Sequence, residues 1–181
     1  MSVNVEAELA ELKQKVNAMP AGPKPKLSMI VFSGELDKMI AAMIIATGAR
    51  AMGVEVVQFF TFWGTAALRE PKANVGGKDF MSKMFGWMLP KGRNKLALSN
   101  MHMLGMGTAM LKDLMNKKNA PSLDQLFEMA AALGVKIKIC EMSMDLMGFK
   151  REEIIEYPEL EYCGVATFLG EAKESSIQLF I

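Results

Sequence analysis

Apolar residues along the chain follow two patterns: short continuous runs rich in β-branched residues, and longer stretches spaced for helices. The first helical pattern is Val5, Leu9, Leu12, Val16 and Met19, with Glu and Lys between them, which gives a narrow apolar seam. Packing on another subunit as a short coiled coil and docking on the chain's own body both fit so short a seam. Pro20-Ala21-Gly22-Pro23-Lys24-Pro25 then forbids helix and reads as a stiff linker. Residues 1–25 are thus expected to form an amphipathic helix and a Pro-rich linker, and residues 26–181 one α/β domain.

The body opens with Lys26-Leu27-Ser28-Met29-Ile30-Val31-Phe32, a run that suits a buried parallel strand and ends at Ser33-Gly34. From Asp37 to Met52 apolar residues fall on nearly every face, which predicts a buried helix closed by Gly53. Residues 54–61 form the second strand, and strand, helix, strand is a βαβ unit with a right-handed crossover. The same order recurs where Ser122 caps a helix over 123–133, Gly134 stops it, and residues 135–140 make a strand. A fourth strand is expected at 162–165 and a fifth at 176–181, giving an open, mainly parallel five-stranded α/β sheet. The stretch from Lys78 to Lys118 breaks this regularity with eight of the 18 methionines, and reads as a Met-rich helical insert. Such an insert can line a pocket, form a lid, join subunits or simply pack helices.

Composition then narrows the classes of function. With 21 basic against 20 acidic residues and a net charge of +1, no nucleic-acid surface is advertised. One His and two Cys cannot supply a protein-only structural zinc site, so no metal is expected, and so few Cys suggest a reducing, cytoplasmic compartment. The N-terminus lacks the features of a signal peptide. The run from Met39 to Ala49 falls short of the roughly 20 residues a membrane span needs. Peripheral membrane contact stays open.

Open α/β sheets place ligands beyond the carboxyl ends of their strands. Three segments qualify: Ser33-Gly34-Glu35-Leu36-Asp37, Phe62-Trp63-Gly64 and Cys140-Glu141-Met142-Ser143-Met144-Asp145. Cys140 is the strong nucleophile among them. With Ser143 as N-cap of a helical turn over 144–147, amides near the sulfur would favour its thiolate, while Glu141 and Asp145 would oppose it. A buried Cys acting as a small hydrophobe is the structural alternative. That alternative is stronger for Cys163, which falls inside the expected fourth strand. Glu35 and Asp37 could shape a pocket mouth, although acidic residues also stabilise a helix N-terminus without any function. No phosphate loop is complete: Gly105-Met106-Gly107 lacks its third glycine, and Gly76-Gly77-Lys78 is followed by Asp79. His102 has no partner by spacing, and a distant pairing with Cys140 stays open.

Five segments in order resemble the DsrE-type sulfur-relay proteins, specifically their Met-rich, peroxiredoxin-like branch. They are residues 26–38, Phe59-Phe60-Thr61-Phe62-Trp63-Gly64, Lys83-Met84-Phe85-Gly86-Trp87-Met88, residues 140–148, and Gly164-Val165-Ala166-Thr167-Phe168-Leu169. The resemblance implies a three-layer α/β/α sandwich that forms homo-oligomers and carries sulfur as a cysteine persulfide, with Cys140 as the carrier. It implies sulfur-donor and sulfur-acceptor proteins or low-molecular-weight thiols as partners, and no cofactor. Ser33, Gly34, Glu35, Trp63, Ser143 and Asp145 are the expected supporting residues, with Cys163 a candidate second thiol. An apolar methionine cover would shield the carried sulfur. Two other readings stand beside this one. One is a non-catalytic binding or scaffold subunit that uses the Met-rich face. The other is a thiol peroxidase in which Cys163 resolves Cys140, which needs their Cα atoms within about 7 Å.

Overall fold

The computed structural model describes residues 8–11, 13–14, 25–73 and 80–181. Residues 8–11, 13 and 14 are helical and exposed. The rest of the expected N-terminal seam, linker residues 20–24 and the Gly76-Gly77-Lys78-Asp79 segment lie outside the described residues.

The strands are β1 (Lys26–Val31), β2 (Glu55–Phe60), β3 (Lys136–Cys140), β4 (Leu160–Cys163) and β5 (Ile177–Phe180). They form one parallel sheet in the order β4-β3-β2-β1-β5. The helices are α1 (Leu36–Ala51), α2 (Phe80–Met88), α3 (Met106–Lys117), α4 (Leu123–Ala132), α5 (Glu141–Met147) and α6 (Val165–Lys173). The result is the three-layer α/β arrangement expected from the sequence.

Handedness decides which helix covers which face. The chain steps from β1 to β2 to β3 in one direction across the sheet, so right-handed crossovers put α1 and α4 on the same face, where they pack together. The step from β4 back to β5 runs the other way and puts α6 on the opposite face. Strand alternation sorts the side chains accordingly. Met29, Val31, Val56, Phe60, Ile137 and Ile139 point into the α1/α4 layer and form the main core. Lys26, Ser28, Phe59, Lys138, Cys140 and Cys163 occupy the α6 face.

Local chemistry explains the element ends. Ser122 accepts from the Gln125 amide at 3.3 Å while the Gln125 side chain accepts from the Ser122 amide at 2.8 Å, a complete capping box for α4. Gly53 follows α1 at φ 79°, the left-handed geometry that lets a glycine end a helix. Two expectations shift. Helix α1 is not buried all round, because Ile44 and Ile45 are 51% and 37% exposed. Strand β4 begins and ends two residues early, because Gly164 is already the N-cap of α6, so Cys163 closes the strand instead of lying inside it.

The long β2-to-β3 connection is pinned by a buried cation. Arg69, 2% exposed, donates to the carbonyls of Gly86, Leu89 and Pro90 at 3.2 Å each, pairs with Glu153 at 3.3 Å and lies over the Phe149 ring. Asp37 makes a second tie, accepting from the Ser99 amide at 2.9 Å and the Ser99 hydroxyl at 2.5 Å. Removing one partner of a buried pair leaves the other charge poorly compensated. Arg69→Ala is therefore expected to lower stability by about 3–5 kcal/mol, read from urea unfolding, whereas Arg93→Ala at the half-exposed Asp124 pair should cost about 1 kcal/mol or less.

Candidate functional site

Cys140 is the last residue of β3 and the N-cap of α5, with extended backbone at φ −69° and ψ 109°. Cys163 is the last residue of β4, and the two are direct register partners. Partners in neighbouring strands project to the same face, so both thiols point under α6. There they pack with Phe59, Phe168 and Ala172, flanked by Ile30. Both are free and buried, Cys140 at 3% and Cys163 at 6% exposure. The Phe168 ring stacks on Phe59 at 4.9 Å between centroids and covers this cluster from α6.

The rest of the α6 face is polar and holds the lid helix in place. Glu171 of α6 bridges two lysines, pairing with Lys26 and with Lys138 at 3.3 Å, and Lys138 also pairs with Glu161. Ser28 and Ser175 share a hydrogen bond of 2.5 Å, and the Gln178 amide donates to the Ala172 carbonyl at 2.8 Å. Burial works against the Glu171 carboxylate, but the hydrogen bonds and charges of Lys26 and Lys138 prevail and hold it below its ordinary range. Burial pushes the Cys163 thiol up; the Lys138 ammonium pulls the other way, and Glu161 and Cys140 add to the rise.

The other residues singled out from sequence are distributed differently. Ser143 is not an N-cap: α5 starts at Glu141, and the fully buried Ser143 hydroxyl shares a 2.8 Å hydrogen bond with Thr61, tying α5 to the end of β2. Asp145 is exposed and lines a surface depression with Glu141, Phe149 and Arg151. Glu141 is engaged by Arg151 at 2.5 Å. Ser33, Gly34, Glu35 and Trp63 gather where the loops after β1 and β2 meet. A Cβ on Gly34 would lie 2.7 Å from the Trp63 carbonyl oxygen, so the close approach requires glycine. Lys38 joins this group, reaching Ser33 at 3.4 Å and Glu35 at 3.5 Å. None of the four belongs to the cluster packed on Cys140.

The methionine cover is corrected as well. Among the described residues the insert contributes nothing to the Cys140 cluster, and the covering side chain is Phe168. Helix α2 packs on α5, Met115 lines a cavity between α1, α3 and α4, and Met81, Met88, Met103, Met106 and Met110 are exposed. His102 shares a 3.1 Å hydrogen bond with Thr108 at an exposed position and is not part of the cysteine cluster. Among the described residues no three His, Cys, Asp or Glu side chains converge to hold a metal ion.

The profile of the DsrE/DsrF/DrsH-like family matches residues 23–180. The chain belongs to this family. It is 46% identical over 156 residues to the uncharacterized protein YrkE of Bacillus subtilis, an alignment covering 86% of this chain and 96% of that protein. It is 36% identical over 160 residues to the sulfur carrier protein DsrE2 of Allochromatium vinosum, covering 86% of this chain and 98% of that protein.

Two features of this cysteine cluster depend on contacts between distant segments, the Phe168 cover and the Lys26–Glu171–Lys138 bridge. Each leaves a trace: Phe168 and Ala172 stand four apart on one helical face, and Lys136 and Lys138 alternate with Ile137 and Ile139 in β3. Phe168→Ala is expected to cost about 3–5 kcal/mol in urea unfolding and to raise iodoacetamide labelling of native Cys140 toward the rate in unfolded protein. The bridge carries a pH signature. Because the Glu171 carboxyl is more acidic folded than its ordinary value of 4.5, the unfolded chain takes up the proton first. Its stabilisation is complete above that value and disappears as pH falls through the lower folded one. Glu171→Gln should therefore lower stability at pH 7 and flatten the loss in acid, measured as urea midpoint against pH.

Proposed function

We propose that this protein is a carrier in a sulfur relay, holding sulfane sulfur as a persulfide on Cys140 and passing it to an acceptor thiol. The observation that carries this reading is the position of Cys140: a buried thiol at a strand's carboxyl end, on the residue that precedes the following helix, and roofed by one thinly packed helix. The likeness to a protein named as a sulfur carrier supports it.

The chemistry is thiol exchange. The Cys140 thiolate attacks the terminal sulfur of a donor persulfide, forming the Cys140 persulfide and releasing the donor thiolate; an acceptor thiolate then takes the terminal sulfur and returns Cys140 as thiolate. Both steps are redox-neutral. Burial keeps casual thiols from stripping the sulfur, so donor and acceptor must shift α6. That helix is suited to move, because only Phe168 and Ala172 of its nine residues are buried. Donor and acceptor proteins or low-molecular-weight thiols are the partners. Exposed apolar side chains after each cysteine, Met142 and Leu146, Val165 and Leu169, support docking of partners or assembly into a homo-oligomer there. No helix among the described residues is long and apolar enough to cross a membrane. We place the relay in the cytoplasm, where thiols stay reduced.

The exposed face of the insert, with Trp87 at 85% and Leu104 fully exposed, favours a second reading as a binding subunit with a structural Cys140. Intact-protein mass spectrometry after incubation with thiosulfate, polysulfide or glutathione persulfide separates the two. The carrier reading expects a reductant-reversible gain of sulfur by wild type and none at that site in Cys140→Ser. Wild type that gains no sulfur from any of the donors supports the binding subunit.

A further inference from the structure

The proposed carrier chemistry uses one thiol, yet the fold brings two together. Cys140 and Cys163 are register partners at the ends of adjacent parallel strands. Neighbouring strands run about 4.8 Å apart, inside the roughly 4.4–6.8 Å Cα separation a disulfide spans. Both side chains face the same buried cluster, and the ionisation of one is felt by the other. A second cysteine with a purely packing role would not need this position. On β4 the same face also offers Glu161, two residues earlier, which faces Lys138 rather than Cys140.

We propose that Cys140 and Cys163 form one dithiol–disulfide couple in which Cys163 resolves a Cys140 persulfide that no acceptor has claimed. The step rests on the carrier reading above. The Cys163 sulfur attacks Cys140 Sγ, the bond between Cys140 Sγ and the terminal sulfur breaks, and the Cys140–Cys163 disulfide forms. The terminal sulfur takes the bonding electron pair and, with the Cys163 proton, leaves as hydrogen sulfide. The sulfane sulfur is thereby reduced to sulfide while the two thiols are oxidised by two electrons. A dithiol reductant restores the pair by exchange.

The surroundings set the pace. Burial keeps Cys163 mostly protonated at neutral pH, so its attack is slow although the sulfur is adjacent, and the persulfide has time to meet an acceptor. Lys138 is the nearby cation that favours the attacking thiolate. The pair then works as a timer: sulfur delivered promptly travels onward, and sulfur left waiting is discharged as sulfide, with the site locked until reduced. Attack on the terminal sulfur would instead move it from Cys140 to Cys163 without oxidation, an outcome the test separates.

Full-length wild type, Cys163→Ser and Cys163→Ala are loaded with limiting inorganic polysulfide, freed of excess and followed by intact mass, sulfide trapping and non-reducing peptide mapping. Wild type is expected to lose its added sulfur about tenfold or more faster than either variant, as suits a neighbouring nucleophile. It should end two hydrogens lighter than the dithiol, with one equivalent of sulfide and a Cys140–Cys163 cross-linked peptide. Wild type that keeps its sulfur as long as the variants, or carries it on the Cys163 peptide, overturns the proposal. If no form takes up sulfur, the carrier reading fails and resolution with it. Uptake without any Cys140–Cys163 cross-link after diamide treatment overturns the couple alone.

Discussion

Glu171 stands between two lysines from strands that do not touch, Lys26 of β1 and Lys138 of β3, and that bridge fixes where α6 lies on the sheet. Both lysines are almost fully buried, and Glu171 is the carboxylate they share, with the more exposed Glu174 and Glu161 each pairing with one of them. Placed there, α6 drops Phe168 onto Phe59 three residues before Glu171, over the two strand ends that carry Cys140 and Cys163. The Ser28–Ser175 and Gln178–Ala172 hydrogen bonds reinforce that placement.

The two faces of the sheet are thus built for different purposes. The α1/α4 face is mainly apolar, with the buried Gln58 amide donating to the Ala42 carbonyl at 3.2 Å, and its core reaches the insert through Leu89, Leu98 and Leu111. The α6 face mixes Lys26, Ser28 and Lys138 with the buried Val57 and becomes apolar near the cysteines, where α6 is the cover. A well-packed layer behind and a lightly held layer in front suit the proposed carrier, whose thiol must stay covered yet become accessible. The insert contributes at the periphery: Arg69 and Asp37 fasten it, and it leaves most of its methionines toward solvent rather than toward the cysteines.

Much of the fold was legible because its signals are local. Continuous apolar runs marked the parallel strands, the Ser122–Gln125 box marked α4, and Gly53 and Gly134 marked stops. Cys140 at the end of β3 could be read in the same way. What could not be read depends on pairing across the sheet. The position of Cys163 turned on whether Gly164 continues a strand or caps a helix, and a two-residue shift moves that sulfur to the strand's end beside Cys140. Ser143 looked like a cap because its residue type favours one, but the helix starts earlier and its hydroxyl is spent on Thr61. The methionines suggested a cover because they are dense in sequence, whereas crossover handedness assigns that role to α6.

In the proposed relay, sulfur on Cys140 is held beneath Phe168 and released only when α6 yields. Cyanide, which removes sulfane sulfur as thiocyanate, tests this directly on persulfide-loaded protein. Slow thiocyanate release from native wild type, with fast release from Phe168→Ala and from wild type in urea, is expected if α6 guards the sulfur. Release from native wild type as fast as from unfolded protein would contradict it.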